Sequence, residues 1–349
     1  MNPDAPAAPD LRPSPAPRSK PRWRWRRRGI GLVLVLSLLS NLWFWTTGDG
    51  PAVGAWRSAE GRDAYLEAYD DVLATMPEPE ERLDVGTSYG TVHVARFGEG
   101  DGIPVLLMPG WGSGIPMWRD NLPAWVSERT VYAVDALGDA GRSTQTVPLD
   151  SPRSQAAWVS ETISELGLES VHVVGHSFGG WSAANLALHH PDQVATLTLF
   201  DPVQVFSTFR WQIYVWSIPA SVPVLPQSWR DEALARIGGE EDLDRSDPMT
   251  RMIDAGTQHY VSRRPFPDQL TDEQLRTLSM PVYAAMAGDS SVLADPAAAV
   301  ERGRELVPDL SIDVWSDATH SLPMEDPERV GREVLTFLAD HETSSPGAP

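Results

Sequence analysis

The chain of 349 residues contains no cysteine, which excludes disulfides, thiolate metal sites, haem-thiolate centres and cysteine nucleophiles. Lysine is nearly absent too: Lys20 stands alone, so 27 of the 28 basic residues are arginine. Against 48 Asp+Glu the net charge is −20. Eight of the basic residues fall within residues 1–47, opposed only by Asp4 and Asp10. Residues 48–349 therefore hold 20 basic and 46 acidic side chains, a net of −26. Nothing on such a surface would neutralise phosphates over a broad face, so nucleic acid is not an expected partner. His-Glu-x-x-His, phosphate-loop and dinucleotide patterns are missing as well, and no metal or cofactor is expected. The run Glu240-Glu241-Asp242-Leu243-Asp244 lacks the spacing and glycine of a calcium loop and reads as a solvated face. What remains, 42% hydrophobic and 22% charged, is the composition of a globular protein.

The N-terminus has its own character. Residues 1–21, rich in Pro and Ala, are expected to be disordered, and the whole of 1–28 reads as a basic cytoplasmic tail. Arg22-Trp23-Arg24-Trp25-Arg26-Arg27-Arg28 then precedes an uncharged stretch over 29–47. As a helix those residues would span about 28 Å, close to a hydrocarbon core of about 30 Å. Trp23, Trp25, Trp43 and Trp45 stand at the two ends like interfacial belts. The expectation is a single-pass anchor over 29–47 in a cell membrane, with the arginine side cytoplasmic and all that follows outside. The rival is a cleaved signal peptide and a secreted body, for which Val53-Gly54-Ala55 is the candidate cleavage site.

The body follows after a linker over 48–60. Tyr65, Leu66, Tyr69, Val72, Leu73 and Met76 recur at helical spacing and predict a helix over 62–76, closed by Pro77 and Pro79. A hairpin is expected from 83–85 and 91–97 around Ser88-Tyr89-Gly90. Strands at 104–108, 130–134, 171–174, 194–200, 282–286 and 312–315 then alternate with helices at 154–166, 178–190, 296–307 and 327–339. This alternation predicts an α/β fold with a mainly parallel, doubly wound sheet over 61–341, and a disordered tail over 342–349. The pattern breaks over 202–280, which opens with Phe206, Phe209, Trp211, Tyr214 and Trp216. An insertion there would sit above the strand C-termini, where open α/β sheets bind ligands, and is expected to form a helical lid.

Chemistry concentrates in Val171-His172-Val173-Val174-Gly175-His176-Ser177-Phe178-Gly179-Gly180. A buried strand runs through Gly-x-Ser-x-Gly into a helix. So tight a turn strains the central residue and requires near-absent side chains two positions either side. It lifts the Ser177 hydroxyl above the sheet edge, beside a helix N-terminus that favours developing negative charge.

On these residues the chain resembles the α/β-hydrolase superfamily, from about 81 to 338, with the inserted region least alike. Asp135-Ala136-Leu137-Gly138-Asp139-Ala140-Gly141-Arg142-Ser143 resembles the family's Asp-x-x-Gly-x-Gly-x-Ser loop with one extra residue. Met108-Pro109-Gly110-Trp111 takes the place of its His-Gly oxyanion loop, and Asp317-Ala318-Thr319-His320-Ser321 resembles the segment that carries its histidine. The resemblance implies Ser177 as nucleophile and His320 as general base. Of the other seven histidines, His172 and His176 read as structural, His189 and His190 as a helix end, and His93, His259 and His341 have no motif around them.

The acid departs from the family's pattern. Gly-x-x-Asp after the family's seventh strand would place it at 291, which is serine. Some haloalkane dehalogenases carry it at the end of the sixth strand instead, here Asp201; Asp201 is favoured and Asp289 is the alternative. The resemblance further implies an oxyanion hole from the backbone N–H groups of Trp111 and Phe178, with Trp111 and Trp118 walling an acyl pocket, while Trp125 and Trp158 read as core. The expected activity is hydrolysis of a hydrophobic carboxylic ester, a small-molecule acyl substrate, through an acyl-enzyme. An acyltransferase or perhydrolase would use the same intermediate, and a non-catalytic binding member of the fold is the third reading. Serine at 177 disfavours dehalogenase and epoxide hydrolase chemistry, which need a carboxylate nucleophile there.

Overall fold

The computed structural model describes residues 52–240 and 242–342. The basic tail over 1–28, the anchor over 29–47 and the start of the linker lie outside the described residues, as does the C-terminal tail apart from Glu342. Among the described residues no helix is long and apolar enough to cross a membrane.

The body opens with β1 (Ala55–Trp56), α1 (Ala59–Leu73) and the hairpin β2 (Glu81–Thr87) and β3 (Gly90–Phe97). There follow β4 (Val105–Met108), α2 (Leu122–Trp125), β5 (Val131–Val134), β6 (Thr144–Gln145), α3 (Pro152–Glu165), β7 (Val171–His176), α4 (Phe178–His189) and β8 (Val194–Phe200). An inserted segment holds α5 (Trp211–Ser221), α6 (Gln227–Gly238), α7 (Pro248–His259), β9 (Tyr260–Val261) and α8 (Asp272–Arg276). The chain ends with β10 (Val282–Ala287), α9 (Pro296–Leu306), β11 (Leu310–Trp315), α10 (Leu322–Glu325) and α11 (Pro327–Glu342).

Local chemistry sets several of these boundaries. The Ser58 hydroxyl accepts from the Gly61 N–H, so α1 starts at Ala59, three residues before the periodicity predicts. Ser151 and Ser154 form a reciprocal cap at the head of α3, with Pro152 in its first turn, where no N–H is needed.

The main sheet runs β11-β10-β8-β7-β4-β5-β3-β2, with β6 beside β3. From β5 through β4, β7, β8 and β10 to β11 every pairing is parallel. The β2–β3 hairpin and the β3–β5 join are antiparallel. Strands buried on both faces read as unbroken apolar runs, as β4 does. Its Val105 and Leu107 face the core shared with α1, α2 and α11, while Leu106 and Met108 face the core under α3, α4 and α9. The mainly parallel sheet with helices on both faces is thus as expected. The chain leaves β8 for the insertion and returns to its neighbour β10, so the segment between them rises from the C-terminal ends of central strands.

Two boundaries need correction. The linker over 48–60 ends early, because Ala55 and Trp56 pair antiparallel with Val261 and Tyr260, and the Trp56 ring packs 5.1 Å from Tyr65 and from Tyr260. A two-residue strand has no alternation to betray it. The C-terminal tail begins one residue late, because Glu342 closes α11 and accepts from the Arg129 guanidinium and the Ile103 N–H.

Candidate active site

β7 delivers Ser177 into a bend at φ 52° and ψ −118°, a left-handed backbone region that costs a non-glycine residue about 1–3 kcal/mol. The bend is held because the Ser177 N–H donates to the Phe200 carbonyl (3.0 Å) and the Ser177 carbonyl accepts from Trp181 and Val203 (3.2 Å each). The two glycines are steric necessities. A Cβ at Gly175 would lie 2.5 Å from the Gly179 carbonyl oxygen, and one at Gly179 would lie 2.1 Å from that of Met108.

The structure brings Ser177, His320 and Asp201 into one hydrogen-bonded chain. His320 Nε2 lies 2.8 Å from Ser177 Oγ, and its Nδ1 lies 2.6 Å from Asp201 Oδ2. A carboxylate can only accept, so Nδ1 carries the proton and Nε2 is left to accept from the Ser177 hydroxyl. Asp201 is fully buried at the end of β8, itself at a positive φ of 38°. Its Oδ1 accepts from the Ala287 N–H (3.1 Å) and its Oδ2 also accepts from the Ser290 hydroxyl (2.7 Å). Asp289 is exposed, and its backbone N–H is spent on the Ala318 carbonyl; the structure does not join it to His320.

His176 does more than fill space. Its Nε2–H donates to the His320 backbone carbonyl at 2.7 Å, and the two rings lie 4.9 Å apart. Nδ1 is then the bare nitrogen, buried with no hydrogen-bond partner. Burial first, and then the neighbouring His320, push the His176 pKa down to about 3, so it stays neutral. His172 is buried and held by Thr196 and Glu342, a structural role.

Phe178, the first residue of α4, has no intrahelical acceptor for its N–H. In the loop opposite, the Gly110 N–H faces Met117 Sδ, that of Gly112 donates to Asp139 (2.9 Å) and that of Ser113 to the Gly110 carbonyl. Among the described residues this leaves the Trp111 amide as the donor the loop can offer. What fixes this loop leaves no local pattern in the sequence. Asp139 is also paired with Arg264 at 2.9 Å, both buried, and the Arg264 guanidinium lies 4.5 Å from the Phe178 ring centre and 5.1 Å from that of Trp111. Arg264 has no motif around it; Asp139 falls in the loop already compared with the family. Ser290 likewise carried no signal.

A cavity of about 390 Å³ opens on Ser177 and His320, within the size range of small-molecule sites. Trp111 and Met117 wall it from the sheet side, and Leu234, Ile237, Met249 and Ile253 of the inserted helices from above. Three hydroxyls tie α6 to the loops flanking His320: Ser291 donates to the Ile237 carbonyl, and Thr319 and Ser321 to that of Gly238. Trp118 does not wall the cavity. It is fully buried with its ring 5.9 Å from Trp125, because the single 3-10 turn Ile115–Trp118 points it inward. Trp125 and Trp158 are core, as read.

The acidic run after α6 is not all solvated. Glu240 lines the cavity with Asp120, Asp247 and Glu325, and its pKa is raised by partial burial and by Glu325 and Asp247. Arg119, the one basic residue among the cavity's lining residues, is already bonded to Asp120 and Asp247.

Comparison with known proteins places these features. The model of the alpha/beta hydrolase family matches residues 105–333. Carboxylesterase YbfK of Bacillus subtilis (strain 168) is 29% identical over 281 residues, covering 78% of this chain and 93% of that protein. Its crystal structure superposes with a TM-score of 0.75 over 80% of this chain and 99% of its own. The naproxen esterase of the same species gives 0.74 at 25% identity, again over 80% of this chain and 99% of its own.

Proposed function

The chain belongs to the alpha/beta hydrolase family, and from that footing we propose that it hydrolyses carboxylic esters through an acyl-enzyme formed on Ser177. The observation that carries this reading is the unbroken chain from Ser177 Oγ through the His320 imidazole to the buried Asp201 carboxylate.

In the first half-reaction Ser177 Oγ attacks the ester carbonyl as its proton passes to His320 Nε2. The imidazolium that forms is stabilised by Asp201, which also holds the tautomer that made Nε2 an acceptor. The carbonyl oxygen becomes an oxyanion facing the N–H groups of Phe178 and Trp111, and one such donor is worth about 100- to 1000-fold in turnover. Collapse breaks the C–O bond to the alcohol, which leaves with the proton from Nε2. Water then repeats the sequence on the acyl-enzyme: Nε2 takes its proton, the acid departs and Ser177 is regenerated.

The inserted segment acts as the lid of this site, supplying the apolar upper wall and latched through Ser291, Thr319 and Ser321. The preferred substrate is an apolar, neutral ester, because the cavity is walled by aliphatic side chains and rimmed by carboxylates that would repel an anion. Residues 29–47 anchor the enzyme in a membrane, a reading supported by their length, their lack of charge and the arginines before them.

The test is a series of 4-nitrophenyl esters of graded acyl length, offered to the purified full chain and to Ser177→Ala. Hydrolysis that rises with acyl length and vanishes in the variant supports the reading. Hydrolysis unaffected by the variant would end it.

A further inference from the structure

Helix α5 is turned the wrong way round for a soluble protein. Trp211, Tyr214, Val215 and Ile218 stand at i, i+3, i+4 and i+7, the spacing of one apolar stripe, and each is more than half exposed. The residues the helix buries are Ile213 and Ala220. The stripe continues in Phe266, whose ring lies 5.9 Å from Tyr214, and the exposed Val224 and Trp229 follow just beyond the helix. From 211 to 229 there is no charged side chain, within a body of net −26, and Arg210 and Arg230 flank the stretch. Contiguous exposed apolar surface of this kind marks an interaction site.

We propose that this face of the inserted segment lies in the interfacial layer of a phospholipid bilayer, as a second membrane contact. The proposal rests on reading residues 29–47 as an anchor, and the chain outside the described body supplies the argument for lipid as the occupant. Only residues 48–51 separate the end of that apolar segment from the described body, a reach of at most about 14 Å when fully extended. The body then begins, at Ala55 and Trp56, by pairing with Val261 and Tyr260. That is the strand immediately after α7 and five residues before Phe266, so the tether enters the body on the inserted segment itself. The side-chain chemistry agrees. Trp and Tyr among aliphatics suit the boundary between headgroup and acyl chain, and flanking arginines suit anionic headgroups.

The consequence concerns substrate delivery. α5 packs on α6, which carries Leu234 and Ile237 of the cavity wall. Seating α5 in the interface sets the cover of the cavity on the layer where an apolar ester is dissolved.

The absence of cysteine makes the test clean. Ile218→Cys or Val314→Cys in the full chain gives one nitroxide site each, the second on exposed β11 as a body control. The proteins are reconstituted in vesicles of phosphatidylethanolamine and phosphatidylglycerol, and accessibility to oxygen and to a water-soluble nickel chelate is read by power saturation. The expected result is a probe at 218 several-fold more accessible to oxygen than to the chelate, with the reverse at 314. In parallel, Trp211→Asn with Ile218→Asn should lower hydrolysis of a vesicle-dissolved ester about tenfold and leave a short soluble ester unaffected. If the protein floats with the vesicles but 218 is as open to the chelate as 314, the second contact is refuted and the anchor stands. If 218 is shielded from both reagents, protein covers the face and the proposal falls. If the protein does not float at all, anchor and second contact fall together.

Discussion

Replacing Asp201 by Asn changes one atom in a site where every neighbour's direction is set. Oδ1 accepts from the Ala287 N–H, a backbone donor on β10 that cannot turn away. An Asn therefore keeps its carbonyl oxygen there and puts its NH2 where Oδ2 stood, facing His320 Nδ1 and Ser290 Oγ. Ser290 Oγ already accepts from the Val292 and Leu293 N–H groups, so its hydroxyl loses an acceptor and offers the NH2 none. Nδ1 can accept only by giving up its proton, so the imidazole carries it on Nε2 instead, 2.8 Å from Ser177 Oγ. The base is then occupied before the reaction starts. The expected loss is about 10⁴-fold in kcat, or about 5 kcal/mol of transition-state stabilisation, with the fold intact because shape and volume are unchanged. Asp289→Asn, at an exposed position not joined to His320, should stay within about twofold. Initial rates on 4-nitrophenyl butyrate, with circular dichroism to check the fold, read both variants. An Asp201→Asn enzyme that keeps more than a tenth of wild-type turnover, or an Asp289→Asn enzyme that falls as far, would exclude Asp201 as the triad acid.

Three other substitutions probe the surroundings. Gly179→Ala places a methyl 2.1 Å from the Met108 carbonyl oxygen, backbone that cannot yield cheaply, and should cost at least about 2 kcal/mol in urea unfolding; a loss under 0.5 kcal/mol would mean the elbow is looser than its contacts imply. Arg264→Met leaves Asp139 buried without its partner and should destabilise by about 3–5 kcal/mol, with turnover falling as the Trp111 loop loosens; unchanged stability would show the pair to be dispensable. His176, with its pKa lowered to about 3, remains neutral in the folded state while the unfolded chain takes up a proton near pH 6.5. Its contribution is whole above that pH and is lost at up to about 1.4 kcal/mol per unit as pH falls toward 3. His176→Gln, which can still donate to the His320 carbonyl, should flatten the acid limb of stability by that slope, and parallel limbs would count against the assignment.

The parts of the site readable in the sequence were those dictated by short-range sterics. Gly175 and Gly179 announce the bend at Ser177 because a side chain at either would meet backbone, the Gly179 carbonyl for the first and the Met108 carbonyl for the second. His320 was reached by chain order, and Asp201 by noticing that position 291 carries a hydroxyl where a carboxylate is usual. The structure gives that hydroxyl another task, donating to Ile237 and so holding α6 in place. Arg264 and Asp139 stand 125 residues apart, and no local pattern encodes their meeting. Trp118 lies in the core and not on the cavity for a related reason: the direction of one 3-10 turn decides between the two, and spacing does not contain that direction. The stripe on α5 shows the same limit from the other side. Its period is visible in Trp211, Tyr214, Val215 and Ile218, but only the fold reveals that it faces outward. A strand with an unbroken apolar run, such as β4, needed no such information, since burial on both faces asks nothing about direction.

The whole chemistry depends on the Ser177 hydroxyl being made nucleophilic by His320. The decisive experiment treats the native full chain with a fluorophosphonate and locates the adduct by peptide mass spectrometry. One phosphonyl group on Ser177, formed at least a hundredfold more slowly in His320→Ala and not at all in Ser177→Ala, is the predicted result. A folded protein that stays unmodified, or carries the group on another serine with Ser177 intact, would contradict it.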